Sequence, residues 1–228
     1  MTEPIPCRGV MFDLDGTLVD SSQDLWRALN HVLDKYGFST LAHDQVKDLV
    51  GRGARSLIAR GFWGAEAVAP KDDPRFEAAV DDFLVHYHAH IADHSRPYPG
   101  VRETLELLGT RGLRLAVATN KPAYLTTRLL DLLDLSRHFD PIVSGDTFPR
   151  LKPDPLPLLE ILGGWGIPPS LGVMVGDSET DAEAAHAAGS PLILVSYGYN
   201  RGIPVSTHAP RQVIHDFTDL GNLLLPQP

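Results

Sequence analysis

The sequence predicts an α/β fold: a doubly wound, Rossmann-like parallel sheet core carrying an inserted all-helical cap domain. Three observations predict it. Short apolar runs recur, each closed by a polar residue or a glycine; stretches with helical spacing lie between them; and one long segment is helical without a strand. The runs are 9–12 ahead of Asp13, 113–118 ahead of Thr119, 173–175 ahead of Gly176 and Asp177, and 192–195 ahead of Ser196. Runs of this length, rich in Val, Leu and Ile, suit strands buried on both faces of a parallel sheet. Helical spacing follows at 101–108, 123–133, 155–162 and 179–188. Strand and helix alternating in this way build a doubly wound core, whose ligands bind beyond the carboxyl ends of the strands.

The exception is the segment from about Ser21 to Asp93. Its apolar residues recur at helical spacing: Leu25, Leu29, Val32, Leu33 and Tyr36, then 46–58, then 76–92. Asp20-Ser21-Ser22 is a helix-start signal, and Ser95-Arg96-Pro97-Tyr98-Pro99-Gly100 is a turn-rich return to the core. The expected division is therefore a core of residues 1–18 and 96–228 with a helical cap of residues 19–95.

Composition narrows the function. A chain of 228 residues with 43% hydrophobic and 21% charged residues builds a sizeable core, which sets aside disorder. A net charge of −9 argues against a general nucleic-acid binder, since phosphate backbones need Lys/Arg-rich surfaces. The single cysteine, Cys7, forms no intrachain disulfide and reads as a small buried residue leading into a strand. There is no basic stretch followed by an apolar one at the N-terminus, and no apolar run near the ~18 residues of a membrane helix. The expectation is a cytoplasmic protein without a membrane or nucleic-acid partner, as monomer or homodimer.

The strongest local signal is Asp13-Leu14-Asp15-Gly16-Thr17 at the end of the first run. Carboxylates two residues apart on a strand point the same way unless the backbone turns, and Gly16 permits the turn. Like charges this close need a cation or a shared proton. The other strand exits add to it. Thr119-Asn120-Lys121 brings a hydroxyl and an amide, Lys152-Pro153 an ammonium ahead of a helix, and Gly176-Asp177-Ser178-Glu179-Thr180-Asp181 two more carboxylates. Four acids, one lysine and one hydroxyl on one rim suit a hard divalent cation such as Mg2+, which takes one or two carboxylates plus substrate phosphate. A phosphate dianion would not approach four carboxylates without it.

In this order, Asp-x-Asp-Gly-Thr, Thr-Asn, Lys-Pro and Gly-Asp-Ser-x-x-Asp, the sequence resembles the haloacid dehalogenase superfamily over essentially its whole length. Val50-Gly51-Arg52-Gly53-Ala54, the return 96–101 and Ser196-Tyr197-Gly198-Tyr199 resemble its phosphoglycolate phosphatase branch. The resemblance implies that Asp13 is a nucleophile forming an aspartyl phosphate and Asp15 a general acid and base. It implies that Thr119, Gly16 and Asn120 contact the phosphoryl group, while Lys152 offsets its charge. Asp13, the Asp15 main-chain carbonyl and Asp177 would hold Mg2+. Asp181, with Ser178 beside it, would orient Lys152 or a metal-bound water; the alternative for Asp181 is a first-turn acid favoured by the helix dipole. The implied function is a Mg2+-dependent phosphatase for a small phosphomonoester, 2-phosphoglycolate first. The alternatives are a hexose-phosphate mutase, a sugar-phosphate phosphatase and a non-catalytic protein on the same scaffold. Thr17 and the cap stretch lean against the mutase, and the second acid, Asp15, against a dehalogenase.

Three further features belong to the cap. Arg52 and Arg55 are candidates to pair with a substrate carboxylate, the alternative being surface charge at a helix start. His86, His90 and His94 fall on one helical face, which reads as a polar face more than as a metal site. Trp26, Trp63 and Trp165 read as packing residues.

Overall fold

The computed structural model describes residues 3–200 and 203–227; the outer limits expected for the core, residues 1 and 228, lie outside them. The chain opens with β1 (Ile5–Cys7) and β2 (Gly9–Phe12), then turns through a tight loop into β3 (Val19–Asp20). Four helices follow without a strand: α1 (Ser22–Lys35), α2 (His43–Lys47), α3 (Gly53–Trp63) and α4 (Pro74–Ala89). The chain returns through β4 (Arg96–Pro97) and continues as α5 (Val101–Thr110), β5 (Arg114–Ala118), α6 (Ala123–Leu132), β6 (Ile142–Val143) and α7 (Leu156–Trp165). It ends with β7 (Gly172–Gly176), α8 (Glu179–Ala188), β8 (Leu192–Val195), β9 (Gln212–Ile214), α9 (Leu220–Leu223) and β10 (Leu224–Pro226). None of these helices is long and apolar enough to cross a membrane.

The main sheet is six-stranded in the order β6-β5-β2-β7-β8-β9, with every neighbouring pair parallel. Its strands are buried on both faces, as their apolar runs require. Val10, Phe12, Val117, Val175 and Ile193 join one apolar cluster with residues of α5, α6 and α9. Met11, Ala116, Ala118, Met174 and Leu194 join the other with residues of α7 and α8. From β2 the chain winds outward through β5 to β6, then returns to place β7 on the other side of β2. The winding reverses between β2 and β7, so the crevice at their carboxyl ends is the switch point of the sheet. Asp13 follows one of these strands and Asp177 the other.

The helical segment meets the core where the chain crosses twice. β3 and β4 pair antiparallel, Val19 opposite Pro97 and Asp20 opposite Arg96. The Asp20 carboxylate accepts from the Ser22 amide (3.1 Å) and hydroxyl (2.6 Å), which starts α1 at the expected signal. Asp24, one turn on and buried, accepts from the amides of His94 and Ser95 and the Ser95 hydroxyl at 2.7–3.1 Å. The outgoing and returning chains are thereby tied to the same helix. Asp73 caps α4 through the amides of Arg75 and Phe76, with Pro74 in its first turn.

Two readings of the helical segment are corrected. Residues 46–58 do not form one helix: α2 stops at Lys47 and α3 starts at Gly53, because Gly51 (φ 112°) and Gly53 (φ 81°) take left-handed backbone between them. The histidine face does not extend to His94, because α4 ends at Ala89, although His86 and His90 stay adjacent with ring centroids 4.7 Å apart. His86 also stacks on His31 of α1 with ring centroids 4.0 Å apart, and His90 bonds Asp93. Cys7 is buried at the end of β1, where burial pushes its thiol up to about 11. β1, β6, β9 and β10, of two or three residues each, are too short for periodicity to reveal.

Phe12 is fully buried, packed against Phe217 and edge-on to Phe139 with ring centroids at 5.8 and 6.2 Å. Phe12→Ala is expected to cost about 3–5 kcal/mol of stability, read from the urea unfolding midpoint at unchanged slope. A loss near zero would place Phe12 outside the cooperative core.

Candidate active site

The site begins where β2 ends. The Asp13 amide continues the sheet ladder to the Val175 carbonyl (3.0 Å). Beyond it the chain doubles back: the Leu14 carbonyl accepts from the Leu18 and Val19 amides, each at 3.0 Å. Gly16 (φ 91°) makes the turn, and a Cβ there would lie 2.4 Å from Asp177 Oδ2. Only glycine satisfies both demands.

The turn sends the two aspartates to different lysines. Asp13 Oδ1 lies 3.0 Å from Lys152 Nζ. Asp15 takes Lys121 Nζ on both oxygens, at 2.9 and 3.0 Å, and the Ser21 hydroxyl at 2.5 Å. Lys121 stands at the exit of β5 and is buried, as is Lys152 ahead of α7. Lys121 also donates to the Tyr87 hydroxyl of α4 (2.8 Å), with its ammonium 4.6 Å from the ring centroid.

Asp177 and Asp181 complete the rim from the β7–α8 turn. Asp181 gives one oxygen to Lys152 Nζ (2.6 Å); the other accepts from the Asp177 and Ser178 amides and the Ser178 hydroxyl at 2.9–3.2 Å. It therefore organises the turn and orients Lys152. Asp177 accepts from the Tyr199 amide (2.6 Å) and the Thr17 hydroxyl (3.2 Å). The Tyr199 side chain reaches back to the chain crossing, donating to Asp20 and accepting from the Ser21 amide, each at 2.8 Å.

Burial dominates the electrostatics. It pushes the Asp13 carboxyl up to about 6, against the pull of Lys152 and with help from the Asp181 charge. It drives Asp177 well above the usual carboxylate range, and the charges of Asp181 and Asp13 add to the rise. Burial would lower Lys152, but Asp13 and Asp181 outweigh it and hold the ammonium at about 12. Oxygens of Asp13, Asp177 and Asp181 lie within 4.8 Å of one another. Three carboxylates against one ammonium, all hard oxygen donors, fit a hard divalent cation.

A cavity of about 60 Å³ separates this rim from the helical segment, room for a few water molecules. Asp13, Asp15, Thr119, Lys121 and Lys152 line it from the core, Leu25, Leu57, Phe83 and Tyr87 from the helices, and Val50 from the α2–α3 connection. Thr119 is buried, its hydroxyl accepting from the Lys121 amide (3.3 Å). Asn120 also lines the cavity, but its side-chain NH2 is committed to the carbonyls of Lys152 (2.8 Å) and Gly51 (3.4 Å). That leaves the buried, unpartnered Oδ1 as its open side-chain atom.

Arg52 and Arg55 do not line this cavity. Arg55 pairs with Glu77 at 2.5 and 2.8 Å and donates to the Pro70 carbonyl. Arg52 bridges to Glu179 of α8 at 3.3 Å. The reason is rotation about α3: Ala54 and Leu57, three residues apart, turn to the cavity, and Arg55 falls on another face. Sequence reasoning missed the pairing of Lys121 with Asp15, the part of Ser21 beyond a helix start, and Tyr87. The available signal was a lysine directly after Thr119-Asn120 at a strand exit.

The family model of haloacid dehalogenase-like hydrolases matches residues 10–195. A phosphoglycolate phosphatase of Caulobacter vibrioides is 45% identical over 211 residues, covering 92% of this chain and 88% of that one. One from Rhodospirillum rubrum is 41% identical over 224 residues, covering 97% and 92%. Among solved structures, a predicted phosphoglycolate phosphatase from Haemophilus somnus superposes with a TM-score of 0.88 at 34% identity, covering 94% of this chain and 96% of that one.

The raised carboxyls set a pH dependence. Folded Asp13 keeps its proton to about pH 6, whereas an unfolded aspartate loses it near 3.9. Between these values the folded state binds more protons, so this group's contribution to stability falls as pH rises. Asp13→Asn removes the buried charge and is expected to raise the Tm of the chelator-treated protein at about pH 7, with a smaller gain below about pH 5. A lower Tm at about pH 7 would show that the pairing with Lys152 outweighs the burial.

Proposed function

The chain belongs to the haloacid dehalogenase-like hydrolase family and is a phosphoric monoester hydrolase; we propose that it converts 2-phosphoglycolate to glycolate and phosphate through an aspartyl phosphate. The observation that carries the mechanism is Asp13, buried at the switch point with one oxygen against Lys152. An Asp13 oxygen forms the bond to phosphorus while the bond from phosphorus to the ester oxygen breaks. Asp15 gives its proton to the departing alkoxide, then takes one from the water that attacks the phosphoenzyme. Phosphate leaves and Asp13 is regenerated. Lys152 holds positive charge against the transferring group, and Asp181 holds Lys152 in place. Asp13, Asp177 and the Asp15 main-chain carbonyl would hold Mg2+, which when bound offsets the carboxylates and the charge on the phosphoryl oxygens.

Residues 19–95 act as the cap over a core of residues 1–18 and 96–228. The apolar residues that face the rim, Leu25, Leu57 and Phe83, exclude bulk water when substrate is held. The small cavity favours a short ester over a hexose phosphate. The named activity of relatives at 41–45% identity points to the same substrate.

A phosphate-release survey of small phosphoesters with Mg2+ tests the substrate: 2-phosphoglycolate is expected among the highest kcat/KM values. A better sugar phosphate would overturn the substrate and leave the reaction class standing. Asp15→Asn tests the general acid. It is expected to lower the rate on an alkyl phosphate by about 10²–10⁴-fold, and by less on p-nitrophenyl phosphate, whose leaving group needs no proton. Equal losses on both would remove Asp15 from that role.

A further inference from the structure

Two ammonium groups face the cavity, Lys152 and Lys121. Lys152 is taken up by Asp13 and Asp181, on the side where the phosphoryl group sits in the proposed reaction. Lys121 has a different pair of partners, Asp15 and the Tyr87 hydroxyl. The guanidiniums of Arg52 and Arg55 are engaged elsewhere. An anionic group at the far end of a substrate therefore has Lys121 to meet.

The chemistry of the ester places that group. Asp15 must touch the leaving oxygen in order to protonate it. In 2-phosphoglycolate the carbon on the leaving oxygen carries the carboxylate directly. A carboxylate so close to the oxygen that Asp15 touches falls beside the cation that Asp15 touches. Without that cation, two carboxylates would repel each other among the apolar side chains of Leu25, Leu57, Phe83 and Leu125.

We infer that Lys121 binds the substrate carboxylate, which takes Asp15's place on the ammonium and frees Asp15 for the leaving oxygen. Tyr87 holds the ammonium from the α4 side, so a core lysine and a cap tyrosine read the anion together. The substrate carboxylate replaces Asp15 on the cation. The displaced Asp15 carboxylate takes up a proton from solvent, which it then gives to the leaving oxygen, so the buried charge stays balanced. This inference rests on the substrate proposed above.

The experiment compares kcat/KM for 2-phosphoglycolate and for ethyl phosphate, which has the same two-carbon skeleton without the carboxylate. The comparison is made with wild type, Lys121→Met and Tyr87→Phe in the presence of Mg2+. The ratio of the two values is the readout, because a loss that acts through Asp15 affects both substrates and cancels. Wild type is expected to favour 2-phosphoglycolate. Lys121→Met is expected to reduce the ratio by about 10- to 100-fold, as removal of a buried charge-assisted hydrogen bond does, mostly through KM. Tyr87→Phe keeps the charge and loses one acceptor, so its ratio should fall by a smaller factor of about 3 to 10. If the Lys121→Met ratio equals that of wild type, Lys121 holds only Asp15 and the inference fails while the substrate stands. A wild-type ratio near one overturns the substrate, and the inference with it. If Lys121→Met does not fold, as judged by circular dichroism, the Tyr87→Phe ratio decides: a fall supports the inference and no change overturns it.

Discussion

The confinement of three carboxylates around one buried ammonium, Lys152, is the constraint on which the rest of the site depends. Taking charges out of water is costly, and like charges in a shared pocket make it costlier. Each acid therefore has its own means of support. Asp13 has Lys152, Asp181 has Lys152 and the amides of the α8 turn, and Asp177 has the Tyr199 amide and the Thr17 hydroxyl. These donors come from four stretches of the chain, and they converge only because β2 and β7 are neighbours at the point where the sheet winding reverses. The close approach also accounts for glycine at 198, where a Cβ would lie 2.3 Å from that of Asp177. A site that burdens the fold in this way suits a divalent cation, which would relieve part of the electrostatic cost and offset the charge of an incoming phosphoryl group.

The same hydrogen-bond network reaches the cap. Tyr199 holds Asp177 with its amide and the start of the helical segment with its hydroxyl, while Ser21 passes from that start to Asp15. Asp24 ties the returning chain to α1, and Tyr87 of α4 closes the circuit on Lys121. The position of the helices and the position of the proposed general acid are thus mechanically linked through residues that do not touch phosphorus. In such an arrangement, a shift of the helices would carry the proposed general acid with it.

Much of the core was legible from periodicity. The runs at 9–12 and 192–195 are β2 and β8 with the same bounds, and 179–188 is α8. Fully buried parallel strands announce themselves by continuous apolar character, and the polar residues that end them fall at the sheet edge where ligands bind. The short strands at the sheet edges carry too few residues to register, and the break between α2 and α3 depends on positive φ at two glycines that a helical pattern spans without a sign. Arg52 and Arg55 show the limit most plainly. Their residue type suits a carboxylate, but rotation about α3 directs one to Glu77 and packing across the cleft brings the other to Glu179.

The sequence by itself determined the chemistry on offer: the order of strands and helices, the acids at the strand exits, the glycine that lets two aspartates part, and a lysine ahead of α7. These are local matters, set by side-chain periodicity and backbone freedom within a few residues. The tertiary structure alone decided which cation meets which anion. Asp15 and Lys121 stand 106 positions apart, and Asp13 and Lys152 belong to different loops of the sheet. Coulomb energy depends on distance in space and on the water between charges, and both are set only when β2, β5 and β7 lie side by side beneath the cap.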